Sequence, residues 1–303
     1  MLKNILDLNK IKVTFFCFLL CPLFYITIAS KIEFVKIGIF NPYNKKIVLK
    51  SYTKDNKKLA LESWNILRKI NADITYDVDN NIADYVSRFE LNCTKEKWLF
   101  IGNSHSKDFF NIFYYSDFSN NYQFSRIGCQ IKEKLYNELK FYPDFINCDM
   151  LIISTRYSPG HSNIKYLEEL IKNISHKKVV IVSAVYEFKQ YNNNTFTLFD
   201  KYIHNHNMFV DQDIIKKCEN DMSNEYNENY KYSDQKNYNN IIQDICSRYS
   251  HAHYFDRNKL LFNNNVIKVC DKNLNKYIYD YGHVTISGAK YYSTLLNKLF
   301  TFN

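Results

Sequence analysis

The chain has no Cys-x-x-Cys pair and no Cys/His cluster at zinc-ligand spacing, which argues against a zinc site and leaves no metal or cofactor to expect. It has no internal repeat, so a solenoid or propeller is excluded. It also has no nucleic-acid-binding motif. Its 40 Lys+Arg outnumber 31 Asp+Glu for a net charge of +9, but the lysines are scattered among Asn and Tyr rather than gathered into a stripe. Nucleic acid is therefore not an expected partner. A diffuse positive surface suits a membrane or an anionic polysaccharide, but plain solvation accounts for it better than either. At 303 residues with 46% hydrophobic content, the chain can bury one main core but hardly two catalytic domains.

What is present begins at the N-terminus. Lys3, Lys10 and Lys12 precede Val13 to Ser30, a charge-free run rich in Phe, Leu, Ile and Val that is long enough to span a membrane. We expect residues 1–12 in the cytoplasm, a transmembrane helix over 13–30, and residues 31–303 outside. Thr27-Ile28-Ala29 offers cleavage-like spacing, so a removable signal sequence is the alternative, and the protein would then be secreted. Cys17 and Cys21 lie in the span. The other six cysteines, at 93, 129, 148, 218, 246 and 270, are an even number in an oxidising compartment and permit disulfides, with Cys129–Cys148 and Cys246–Cys270 as pairings that would link neighbouring elements.

Residues 31–94 read as a lead-in, with a strand-like Ile32 to Phe40 and a helix around Leu59 to Ile70. From residue 95 strand and helix patterns alternate. Strand-like runs occur at Trp98–Ile101, Tyr122–Ile127, Asp149–Ser154, Lys178–Ala184 and His253–Phe255. Helical patterns occur near Asp108–Tyr115, Asn163–Asn173, Gln235–Tyr249 and Ser287–Leu299. Such alternation predicts a parallel sheet covered on both faces, with ligands beyond the carboxyl ends of the strands. Residues 186–232, rich in Asn, Tyr and charge, read as an insertion with a short helix at Asp211–Lys217; His204 and His206 within it read as polar loop residues.

In "WLFIGNSHSKDFF" an apolar strand breaks at Gly-Asn-Ser-His, placing Ser104 where strand gives way to helix, with its hydroxyl near the positive helix end. A serine nucleophile needs a base. "YIYDYGHVTISGAKYY" offers Asp280 and His283, three residues apart before the last helix, so that one short turn presents both toward one cleft. Together, Gly102-Asn103-Ser104-His105 and Asp280-Tyr281-Gly282-His283 resemble the motifs of the SGNH (GDSL-type) hydrolases. The closer likeness is to the extracytoplasmic SGNH domains associated with membrane O-acyltransferases of acyltransferase family 3. The resemblance covers roughly residues 95–300 and implies a flavodoxin-like three-layer α/β sandwich with a central parallel sheet, preceded here by the N-terminal transmembrane helix.

It further implies a catalytic Ser104, His283 and Asp280, and an oxyanion hole made by Ser104 N–H and Gly128 N–H, since Gly128 in "SRIGCQ" matches the family's second-motif glycine. The third motif usually carries an Asn donor, which this chain lacks. It has Thr155-Arg156-Tyr157, similar to the Arg-Trp pair of the acyltransferase-associated domains, so Arg156 and Tyr157 are candidate substrate contacts. Asn103 replaces the family's usual Asp, can still accept backbone hydrogen bonds, and is a further candidate substrate contact; His105 is a structural or substrate-contacting residue. The implied activity is acyl transfer, chiefly O-acetylation, to a cell-envelope polysaccharide, with the acyl group delivered by a membrane partner. A carbohydrate or lipid esterase of the same type and a non-catalytic glycan-binding module remain the alternatives.

Overall fold

The computed structural model describes residues 48–49, 55–75, 86–158, 160–206, 209–263 and 266–300. The expected membrane span at 13–30 and the strand-like Ile32 to Phe40 lie outside these residues. No helix among the described ones is long and apolar enough to cross a membrane. The chain divides into two units. In the smaller one, residues 1–53 and 202–214, Val48–Leu49 pairs antiparallel with Phe209–Val210.

The larger unit, residues 54–201 and 215–303, carries a six-stranded parallel sheet. Its strands are β1 (Asp73–Thr75), β2 (Glu96–Gly102), β3 (Tyr122–Gly128), β4 (Met150–Ile153), β5 (Lys178–Val182) and β6 (Ala252–Phe255). They stand in the order β1-β3-β2-β4-β5-β6. The central strands read as continuous apolar runs because both faces are covered. Period-two alternation sends Leu99, Ile101, Leu151, Ile153, Val179 and Ile181 into one core and Trp98, Phe100, Met150, Ile152, Val180 and Val182 into the other.

Helices α1 (Asn56–Lys69), α2 (Ser104–Tyr114) and α6 (Ile286–Leu299) supply Leu67, Phe109, Phe113, Tyr292 and Leu296 to the second core. Helices α3 (Leu167–Asn173) and α5 (Asp234–Arg248) supply Leu170, Ile171, Ile242 and Ile245 to the first. This is the expected three-layer α/β arrangement. From β2 the chain goes first to one side, to β3, and then to the other, to β4. The carboxyl end of β2 is thus the switch point where such sheets bind ligands.

Two expectations are corrected. The stretch 186–232 is not a loop with one short helix: it holds Leu198–Asn205 and the 18-residue helix α4 (Gln212–Asn229). Ile215, Cys218, Glu219, Met222 and Ser223 form the buried stripe of α4, a face in which only three residues are apolar, so its periodicity is faint in sequence. The six described cysteines are all free. Cys129, Cys148 and Cys246 pack in or against the first core, and the Cys148 thiol donates to the Phe145 carbonyl at 3.3 Å. Cys270 lies instead close enough to Cys218 for its charge to add to burial in pushing that thiol up.

Candidate active site

β2 ends at Gly102, whose φ of +135° lies in the region that favours glycine; a Cβ there would sit 2.1 Å from the Ser154 carbonyl oxygen. Asn103 follows as the N-cap of α2, and Ser104 is the first helical residue. The Asn103 side-chain oxygen accepts from His105 N–H (3.2 Å) and Arg156 N–H (3.0 Å), while its amide donates to the Arg156 carbonyl (3.2 Å). Asn here does what an Asp could do as acceptor and adds a donor, so the turn is clasped to the loop after β4.

The second half of the site comes from 179 residues away. Asp280 Oδ1 accepts from the backbone N–H of Gly282 (3.0 Å) and His283 (2.8 Å), curling 280–283 into one turn. Asp280 Oδ2 lies 2.7 Å from His283 Nδ1, and His283 Nε2 lies 2.7 Å from Ser104 Oγ. Ser104, His283 and Asp280 are hydrogen-bonded in series, a geometry able to activate a serine for attack on an acyl carbon. Three rings hold the imidazole: Tyr279 stacked at 5.5 Å, Tyr281 at 4.9 Å and His105 edge-on at 5.1 Å.

Burial pushes the Asp280 carboxyl up, but the hydrogen bond and charge of His283 and the two backbone N–H groups outweigh it, so its pKa lies below the usual carboxylate value. A depressed folded-state pKa contributes stability above the unfolded pKa, near 4, that is lost as pH falls through the folded value. The stability difference between the native protein and Asp280→Asn is therefore expected to be full above about pH 5 and to shrink through the range below about pH 4. Denaturant titrations at several pH values measure it; a difference that grew toward acid pH would contradict the assignment.

Arg126, on β3 and 3% exposed, was not anticipated from the sequence. Its guanidinium donates to the carbonyls of Gly102 (3.3 Å) and Asn103 (2.9 Å), to Ser106 Oγ (2.8 Å), and pairs with Asp73 at 2.5 Å. It thus holds both carbonyls just before Ser104. A buried Arg two residues before Gly128 in "SRIGCQ" was the available signal. Lys107 and Asp108, fully buried and paired with each other, were likewise not singled out in the sequence. Lys107 Nζ donates to Ser63 Oγ at 2.9 Å and to Tyr279 OH at 3.3 Å, and Arg257 donates to the His105 carbonyl at 3.3 Å, so this charged group sits beneath the His283 cage.

The remaining expected residues fall differently. His105 is 2% exposed, and neither ring nitrogen has a hydrogen-bond partner among the described residues. Burial above all, then the charge of His283, holds its pKa well below the ordinary value, so it is a neutral packing ring. Arg156 is bound by Glu187 through two bonds, 2.6 and 2.5 Å, and covers the Tyr281 ring at 4.6 Å. Tyr157 is not at the cleft: it is 3% exposed in the first core, against Tyr238, because its side chain follows the inward face of the chain after β4.

Gly128 lines the cleft with Ser104, but its N–H is directed elsewhere. Arg126 N–H donates to the Ala72 carbonyl at 2.8 Å, and the parallel register Ile74↔Ile127 and Thr75↔Gly128 turns the next alternate donor, Gly128 N–H, to the same edge strand. The expectation that this N–H faces the oxyanion is corrected by β1, a strand the sequence did not announce. Ser104 N–H remains, as a first-turn donor of α2. Among the described residues no cluster of three or more His, Cys, Asp or Glu could hold a metal.

The larger unit is thus a doubly wound α/β structure with Ser104, His283 and Asp280 hydrogen-bonded in series at its switch point. Residues 76–298 match the family model of the SGNH domain (fused to AT3 domains), and the chain belongs to that family. The fold is similar to that of a Salmonella ser. Paratyphi A lipopolysaccharide acetyltransferase periplasmic domain, with 15% identity, a TM-score of 0.54, and coverage of 83% of this chain and 98% of that one. A GDSL-like lipase from Bacteroides thetaiotaomicron also matches, at 13% identity and a TM-score of 0.35, covering 81% of this chain and 96% of that one. No curated relative matches the chain.

Proposed function

We propose that the protein is an extracytoplasmic serine-dependent acyltransferase that O-acylates, chiefly O-acetylates, a cell-envelope polysaccharide. The observation that carries this is the unbroken hydrogen-bond series Ser104–His283–Asp280. In the first step Ser104 Oγ attacks the donor's acyl carbon while His283 Nε2 takes its proton; the donor's leaving group departs with that proton, leaving acyl-Ser104. In the second step a sugar hydroxyl attacks the acyl carbon, His283 takes its proton, and the proton returns to Ser104 Oγ. Asp280 holds the His283 tautomer and its charged form. Ser104 N–H bonds the oxyanion. Asn103 and Arg156 shape the turn and His105 backs the base.

The AT3 association in the family's description supports a membrane acyltransferase partner as the acyl source. The Lys-flanked apolar run at 13–30 supports a membrane anchor with 1–12 inside and the main domain outside, in the periplasm or at the cell surface. The test is intact-mass analysis of the purified protein with a chromogenic acetyl ester, with and without polysaccharide. We expect an acetyl adduct that forms on Ser104 and is discharged onto the glycan. Acetate release indifferent to glycan would make the protein an esterase, and a folded protein that never acquires the adduct would make it a binding module.

A further inference from the structure

A cleft of about 930 Å³ runs from Ser104 along α1 to the loop after β3. Its charged lining residues are Arg68, Asp73, Arg126, Lys132 and Glu138. Asp73 is neutralised by Arg126 at 2.5 Å and Glu138 by Lys132 at 2.8 Å. Arg68 alone of these has no ion-pair partner among the described residues, and it is exposed. The cleft therefore presents one unmatched positive charge. Four residues earlier on the same helix face stands Trp64. Lys107 Nζ and the Arg126 guanidinium each lie 5.3 Å from its ring centre, and the half-buried Trp64 lines the cleft.

An aromatic surface beside a free guanidinium, both opening on the same cleft as the Ser104 hydroxyl, has the chemistry to hold a sugar ring that carries an acidic group. The apolar C–H face of the ring packs on Trp64, and the fork of Arg68 takes the carboxylate or phosphate through paired hydrogen bonds. We propose that the α1 wall of the cleft is the acceptor subsite and that it selects an acidic glycan, with Trp64 as the stacking residue and Arg68 as the residue that reads the charge. This deepens the acyl-transfer reading and rests on it for the term acceptor.

Binding is the readout, so that it is scored apart from catalysis. The chain has two tryptophans, and Trp98 is buried, so a fluorescence change on titration reports on Trp64. Titrate the full chain with a hexuronate oligosaccharide, with a sugar-phosphate oligomer, and with a neutral oligosaccharide of equal length. We expect at least one acidic probe to bind tighter than the neutral one, with its affinity falling as salt rises. Arg68→Gln, an exposed change that leaves the fold intact, is expected to weaken that acidic probe about tenfold or more and leave the neutral one unchanged. Preference for hexuronate or for phosphate identifies the anionic group. Equal binding of acidic and neutral probes, no binding of either acidic probe, or an Arg68→Gln variant indistinguishable from the native chain overturns the proposal. Acetyl-adduct formation by the native chain is followed separately: its absence would remove the enzyme reading while leaving a measured acidic preference in place.

Discussion

Ser104→Ala is expected to lower acyl transfer, or ester cleavage with a small acetyl ester, by about 10⁴-fold or more while leaving the protein folded. The hydroxyl is partly exposed and makes its hydrogen bond to His283 Nε2, so its loss opens no core cavity. His283→Ala is expected to cost about as much, and the double variant hardly more, because base and nucleophile act as one unit. Steady-state rates of the three proteins, with circular dichroism to show that each is folded, measure this. Folded variants as active as the native protein would remove the relay from the mechanism.

Arg126→Leu is expected to cost about 3–5 kcal/mol of stability, since it strands the Asp73 carboxylate and removes donors from the Gly102 and Asn103 carbonyls. The turn that sets Ser104 is released at the same time, and displacement of a nucleophile by about 1 Å can cost about 10²-fold in rate. The rate loss is therefore expected in kcat, with little change in KM. Arg126→Lys is expected to recover part of the stability but not the rate, because an ammonium keeps the charge without the planar fork that reaches two carbonyls and Ser106 together. Denaturant midpoints and kcat for the two variants separate the charge from the fork. A fully active Arg126→Leu would show that the turn holds itself.

The strands β2 to β6 and the helices that cover them were legible because each is a local pattern: a short apolar run, or apolar positions at helical spacing. The pairing of Ser104 with His283 was legible through two short motifs of a family, although 179 residues separate them. Helix α4 was read only over its first turns, at Asp211–Lys217, for a local reason, since Cys and Met in the rest of its buried stripe are diluted by Asn and Glu. The cysteine pairings failed because nearness in the assumed strand order is not nearness of thiols.

The sequence by itself determined the strands β2 to β6 and the main helices that cover them, and that Ser104, Asp280 and His283 stand at the ends of such segments. Those properties depend on residues within a few positions of one another. Only the tertiary structure decided that β1 adds an edge strand and draws Gly128 N–H to it, that Tyr157 turns into the core, that Arg126 reaches back to the nucleophile turn, and that Trp64 and Arg68 wall the same cleft as Ser104. Each of these is a meeting of groups distant in sequence, fixed by how the layers pack. A local pattern records that a side chain is apolar or charged, but its partner is set by packing across the sheet.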